Sequence, residues 1–138
     1  MSRIICIDLG GKRTGIAVTD PMKIIATGLN TIPTPELIPF LKKYILNEEV
    51  ESFLIGMPLN LDGTDTHATP MVNAAIKALK INFPHIHDET IDERFTSKMA
   101  QRAMLDMGLK KKTRRDKKLV DEIAATMMLQ EYLQMKNG

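Results

Sequence analysis

The sequence predicts an α/β fold: a five-stranded mixed sheet, built from a three-strand antiparallel meander plus parallel crossovers and flanked by helices. Three observations predict it. Short β-prone apolar runs crowd the first third of the chain with only turn-length gaps between them. Later runs of the same kind alternate with segments of helical periodicity. The length, 138 residues, suits a single domain with one substantial core, and 43% hydrophobic with 26% charged residues is ordinary for a globular protein.

Arg3 to Leu9 reads as the first strand and Thr14 to Thr19 as the second. Gly10-Gly11-Lys12-Arg13 joins them, a short glycine-containing connection that suits a hairpin. Ile24 to Ile32 gives a third strand after the Asp20-Pro21 turn. Pro33 and Pro35 punctuate the chain before a helix whose Leu37, Leu41, Tyr44 and Ile45 share one face. Pro39 falls in its first turn, where a missing N–H costs little. Ser52 to Met57 is a buried strand that stops at Pro58, and a polar loop follows, Asn60-Leu61-Asp62-Gly63-Thr64-Asp65. The next helix starts with Thr69 as N-cap and Pro70 as first helical residue, and Pro84 ends it. His85 to Glu93 gives the fifth strand. Thr96 and Ser97 open a helix that Gly108 closes, and a last helix runs from about Leu119 to Met135.

In sheets of this kind ligands sit beyond the carboxyl ends of the parallel strands. Asp8 lies at that end of the first strand, Asp92 and Glu93 at that end of the fifth. A carboxylate at the end of an unbroken apolar run costs free energy unless a cation, a metal or dense hydrogen bonding offsets it. Asp8-x-Gly10 is also what a turn-capping aspartate looks like. Asp121 is followed by Ala124, Ala125 and Met128, a small apolar face that would let the last helix lie close to the sheet. A surface pair with Lys117 or Lys118 is its simpler role.

Cys6 is the single cysteine, so neither a disulfide framework nor a cysteine zinc site is expected. No basic flank precedes a long apolar stretch, and the apolar runs are too short to span a membrane. The expectation is a soluble, reduced, cytoplasmic protein without membrane contact. The net charge of +2 conceals an asymmetry. Lys110, Lys111, Lys112, Arg114, Arg115, Lys117 and Lys118 stand within nine residues against one acid, Asp116. The remainder keeps 12 of the 19 basic and 16 of the 17 acidic residues, a net charge of −4. Such a cluster suits a phosphate backbone, and equally a solvated loop between helices.

Four segments, in order and spanning nearly the whole chain, resemble the YqgF/RuvX family of Holliday-junction-resolvase-like proteins and pre-16S rRNA processing nucleases. They are Asp8-Leu-Gly-Gly-Lys-Arg-Thr-Gly-Ile-Ala-Val-Thr-Asp20, Ile55-Gly-Met-Pro-Leu-Asn-Leu-Asp-Gly-Thr64, Asp92-Glu-Arg-Phe-Thr-Ser97 and Val120-Asp-Glu-Ile-Ala-Ala125. The resemblance implies an RNase H-like fold and a two-metal nuclease in which carboxylates hold divalent cations, Mg²⁺ or Mn²⁺, against a scissile phosphate. It selects Asp8, Glu93 and Asp121 as catalytic and metal-binding residues. Adjacent strand residues face opposite ways, so only one of Asp92 and Glu93 reaches the site, and Glu93 is preferred. Magnesium takes oxygen ligands from a few carboxylates and keeps several waters. His67, His85 and His87 are accordingly read as non-ligands. Lys12, Arg13, Asn60, Arg94, Lys110, Lys111, Lys112, Arg114 and Arg115 are the candidate nucleic-acid contacts. Arg13 could instead pair with Asp20 or Asp92. Met99 stands where the family often has glutamate, which removes a capping box rather than chemistry.

The implied function is metal-dependent hydrolysis of phosphodiester bonds in structured nucleic acid, foremost 5′-end processing of pre-16S rRNA on ribosomal precursor particles. Resolution of four-way DNA junctions is the alternative within the same chemistry, and the protein could be a monomer or a homodimer; junction cutting favours the symmetric dimer. A non-catalytic RNA-binding ribosome-assembly factor is a third reading. The hairpin also looks like that of sugar kinases, but those proteins use two copies of the fold, and this chain holds one.

Overall fold

The strand β1 (Arg3–Leu9) forms the middle of the sheet. It pairs antiparallel with β2 (Arg13–Thr19) and parallel with β4 (Val50–Met57). Outside these lie β3 (Ala26–Pro33), antiparallel to β2, and β5 (His87–Asp92), parallel to β4. The order β3-β2-β1-β4-β5 is a meander extended by two parallel crossovers. Three helices are described: α1 (Leu37–Ile45), α2 (Thr69–Asn82) and α3 (Lys117–Asn137). This computed structural model describes residues 2–60, 62–92 and 117–137. The helix expected from Thr96 to Gly108 lies outside them.

Period-two alternation sorts the side chains of β1 between two cores. Ile5, Ile7 and Leu9 join Ile16, Phe53 and Ile55 beneath Leu37 and Leu41 of α1 and Val72 and Leu79 of α2. Ile4 and Cys6 point the other way, with Ala17 and Leu54, against Ala125, Met128, Leu129 and Tyr132 of α3. Both faces of β1 are therefore covered, which is why its sequence shows no polar alternation. Asp8 has the parity of Ile4 and Cys6 and so belongs to the α3 face.

The structure departs from the sequence reading at several boundaries. The third strand begins at Ala26, not Ile24. The Asp20 carboxylate accepts the backbone N–H groups of Met22, Ile24 and Ile25 at 3.1, 2.8 and 2.7 Å, so the chain is still turning there. Those bonds hold the Asp20 carboxyl below its usual pKa. Thr69 is the first helical residue of α2 rather than its N-cap. Its hydroxyl donates to the Pro58 carbonyl at 2.7 Å and accepts from the Thr66 N–H at 2.9 Å, tying the loop after β4 to the helix start. The fifth strand begins at His87, leaving His85 in the preceding turn.

Candidate metal and nucleic-acid site

Because β1, β4 and β5 run parallel, their carboxyl ends meet at one edge of the sheet, joined there by the β1–β2 turn. Asp8 stands at this edge, partly buried, directly opposite Gly15 on β2. At Gly15 the backbone of α3 comes into close contact with β2. A Cβ added there would lie 2.3 Å from the backbone oxygen of Asp121 and 3.2 Å from its Cβ. Only a residue without a side chain lets the second turn of α3 settle onto β2, and that contact sets Asp121 over the strand position paired with Asp8. Paired residues of an antiparallel ladder project to the same side, so the carboxylates of Asp8 and Asp121 share one face at one edge.

Arg13, the first residue of β2, has the parity of Gly15 and reaches the same place. Its Nε lies 3.4 Å from Asp121 Oδ2, each side chain being 31% exposed. The pairings expected for Arg13, with Asp20 or Asp92, give way to this one. Lys12 is exposed at the tip of the turn. The turn itself is strapped from outside. Thr34, in a single 3-10 turn after β3, donates its hydroxyl to the Gly10 carbonyl at 2.6 Å and its N–H to the Lys12 carbonyl at 3.0 Å. Its hydroxyl also meets the Thr14 hydroxyl at 2.9 Å, and the Gly10 N–H closes onto the Arg13 carbonyl at 2.9 Å.

The loop after β4 opens at the same edge. Asn60 donates its side-chain amide to Thr64 Oγ1 at 3.1 Å and to the Asp65 carbonyl at 3.0 Å, while Thr64 donates to Asp62 Oδ1 at 2.6 Å. Gly63, at φ +88°, supplies the left-handed residue that closes the loop. The Asn60 amide thus braces the loop from within, at an exposed position.

On β5, Ile91 packs against the α3-side core and Glu89 accepts a hydrogen bond from Tyr132 of α3. Asp92 has the opposite parity, the one expected of the acid that does not join Asp8 and Asp121. Among the described residues no three His, Cys, Asp or Glu side chains converge to hold a metal. What is described is a pair, Asp8 and Asp121, whose oxygen-only donors suit a hard divalent cation rather than zinc. Glu93, Arg94, Lys110, Lys111, Lys112, Arg114 and Arg115 lie outside the described residues. His67, His85 and His87 are exposed and distributed over a loop, a turn and a strand.

A family model described as Holliday junction resolvase, RuvX, matches residues 2–135. The chain belongs to the RuvX family. A protein of Christiangramia forsetii named "Putative pre-16S rRNA nuclease" is 53% identical over 133 residues, covering 96% of this chain and 98% of that protein. One of the same name from Flavobacterium psychrophilum is 52% identical over 136 residues, with 99% of each covered. Among solved structures, Thermus thermophilus RuvC in complex with a Holliday junction substrate matches with a TM-score of 0.57 over 100% of this chain and 98% of that one. At 15% identity that likeness speaks for the fold, and the fold is RNase H-like. The RuvX match takes in the β1–β2 hairpin, the loop after β4 and α3, the elements that meet at the Asp8 edge.

Sequence reasoning missed two residues of this site. Thr34 carries no motif, and its strap bridges 24 residues to Gly10. Gly15 was visible as part of the hairpin segment, but its role against Asp121, 106 residues later, depends on how α3 docks.

Proposed function

We propose that this RuvX-family chain is a divalent-metal-dependent nuclease of structured nucleic acid, acting in 5′-end processing of pre-16S rRNA in the cytoplasm. The observation that carries the proposal is the docking of α3 on Gly15, with the Asp121 backbone against the strand position that pairs with Asp8. Asp8, Asp121 and, from the residues beyond β5, Glu93 would hold Mg²⁺ or Mn²⁺. The parity of Asp92 supports that choice of third ligand. Bound divalent ions supply activation of the attacking water and stabilisation of the leaving oxygen. The chain's own residues position the substrate. Lys12 and Arg13, on a turn fixed by Thr34, offer cations to the phosphate backbone beside the two acids. The loop braced by Asn60 forms the neighbouring wall. Arg94 and the basic residues Lys110, Lys111, Lys112, Arg114 and Arg115 would add further cations for the phosphate backbone. The relatives' shared name supports RNA as the substrate and precursor ribosomal particles as the setting.

Four-way DNA junctions are a second reading, favoured by the family's description and by the RuvC likeness. A cleavage assay with Mg²⁺ or Mn²⁺ on a precursor rRNA fragment and on a four-way junction separates them. Cutting of the rRNA fragment alone, reduced at least about a hundredfold in Asp8→Asn and Asp121→Asn, is the expected result. Junction cutting by a symmetric dimer would select the second reading. Binding without cutting of either substrate would select a non-catalytic assembly factor.

A further inference from the structure

We propose that Arg13 and the divalent metal compete for Asp121, so that Arg13 acts as the carboxylate's counter-ion until metal displaces it; this rests on the metal-dependent reading above. Three features argue for competition rather than permanent support. The Nε–Oδ2 separation of 3.4 Å is long for a charged contact, where about 2.7–2.9 Å is usual. Both side chains are 31% exposed, so water can replace either partner at little cost. The backbone of Arg13, by contrast, is fixed: its carbonyl accepts the Gly10 N–H, and Thr34 holds the Lys12 carbonyl beside it. A fixed stem with a loosely held head lets the guanidinium swing off Asp121 without disturbing β2.

Charge sets the direction. A divalent ion attracts the carboxylate about twice as strongly as a guanidinium at equal distance. Arg13 lowers the negative potential that the ion would otherwise meet at Asp121. Removing Arg13 should therefore strengthen metal binding. A permanent orienting role predicts the reverse, because a carboxylate held less firmly in place would bind metal less well. Displaced, the guanidinium stays at the edge where the substrate phosphate is proposed to lie.

The test is Mn²⁺ binding without nucleic acid, followed by the electron paramagnetic resonance signal of the free ion, on wild type, Arg13→Gln, Arg13→Ala, Arg13→Lys and Asp8→Asn. Circular dichroism melting confirms that each is folded. Arg13→Gln and Arg13→Ala are expected to bind Mn²⁺ about tenfold tighter, with Arg13→Lys close to wild type. Unchanged or weaker binding in both neutral variants overturns the competition while leaving the metal site standing. Asp8→Asn tests that site independently. If it binds Mn²⁺ as wild type does, or if wild type binds none, the metal-dependent reading falls and the competition falls with it.

Discussion

A methyl group on Gly15 would meet backbone, and backbone cannot rotate away as a side chain can. The 2.3 Å approach to the Asp121 carbonyl oxygen means that Gly15→Ala must push α3 off the sheet or bend β2. The expected cost is roughly 1–3 kcal/mol, the range for overpacking a tight contact, read from the urea midpoint. The same displacement moves Asp121 relative to Asp8, so weaker Mn²⁺ binding should accompany the lost stability. At Gly28 the added methyl would meet Glu122 Oε1 at 2.4 Å and Cγ at 2.7 Å, side-chain atoms that can rotate away as backbone cannot. Gly28→Ala is therefore expected to cost less than Gly15→Ala, although both lie beneath the same helix.

The fixing of α3 at its other end is an element-scale matter, and it titrates. Tyr132 donates to Glu89 Oε2 of β5 at 2.5 Å, and Lys136 lies 4.0 Å from Glu89 Oε1 and 5.5 Å from the centre of the Tyr132 ring. Burial, then the hydrogen bond to Glu89, pushes the Tyr132 hydroxyl up to about 12. An unfolded tyrosine ionises near 10, so the folded state holds the proton more tightly. This contribution to stability is present in full below pH 10 and is lost as the pH rises from about 10 to 12. Tyr132→Phe should flatten the stability profile across that window and cost about 1 kcal/mol at neutral pH, measured by denaturant titration at a series of pH values. Such a latch was not legible in the sequence, since Tyr132 and Glu89 stand 43 residues apart on a helix and a strand. The strands and α1 were legible because apolar runs and proline positions act locally. The start of β3 and the cap of α2 were misread because Asp20 and Thr69 spend their polar groups on bonds across a turn and to another element. The acids of the proposed site were legible as types and ends of elements, while their meeting depends on the docking of α3 at Gly15.

At the scale of the molecule, charge decides how a backbone-reading protein meets its substrate. Nine residues from Lys110 to Lys118 hold seven cations, while the rest of the chain carries a net charge of −4. An overall charge of only +2 would by itself give weak attraction for nucleic acid. Affinity should therefore come from this one segment, together with Lys12 and Arg13 at the described edge. Each phosphate neutralised releases about 0.7–0.9 of a counterion, so binding weakens linearly in log affinity against log salt. Replacing Lys110, Lys111 and Lys112 together by glutamine should reduce that slope by about 2 to 3 if each meets a phosphate. The chain has no tryptophan and only two tyrosines. Tyr132 is occupied with Glu89, and Tyr44 lies partly buried against the core beneath α1, its hydroxyl raised above its ordinary pKa by burial. Neither tyrosine is presented as a stacking platform, and lysines that meet phosphate do not read bases, so the triple variant should lose affinity for precursor RNA and junction DNA alike, with sequence preference unchanged. Fluorescence anisotropy across a salt series, on both substrates, measures this. An unchanged slope would assign the basic segment to the solvated surface and leave the hairpin cations as the substrate's electrostatic anchor.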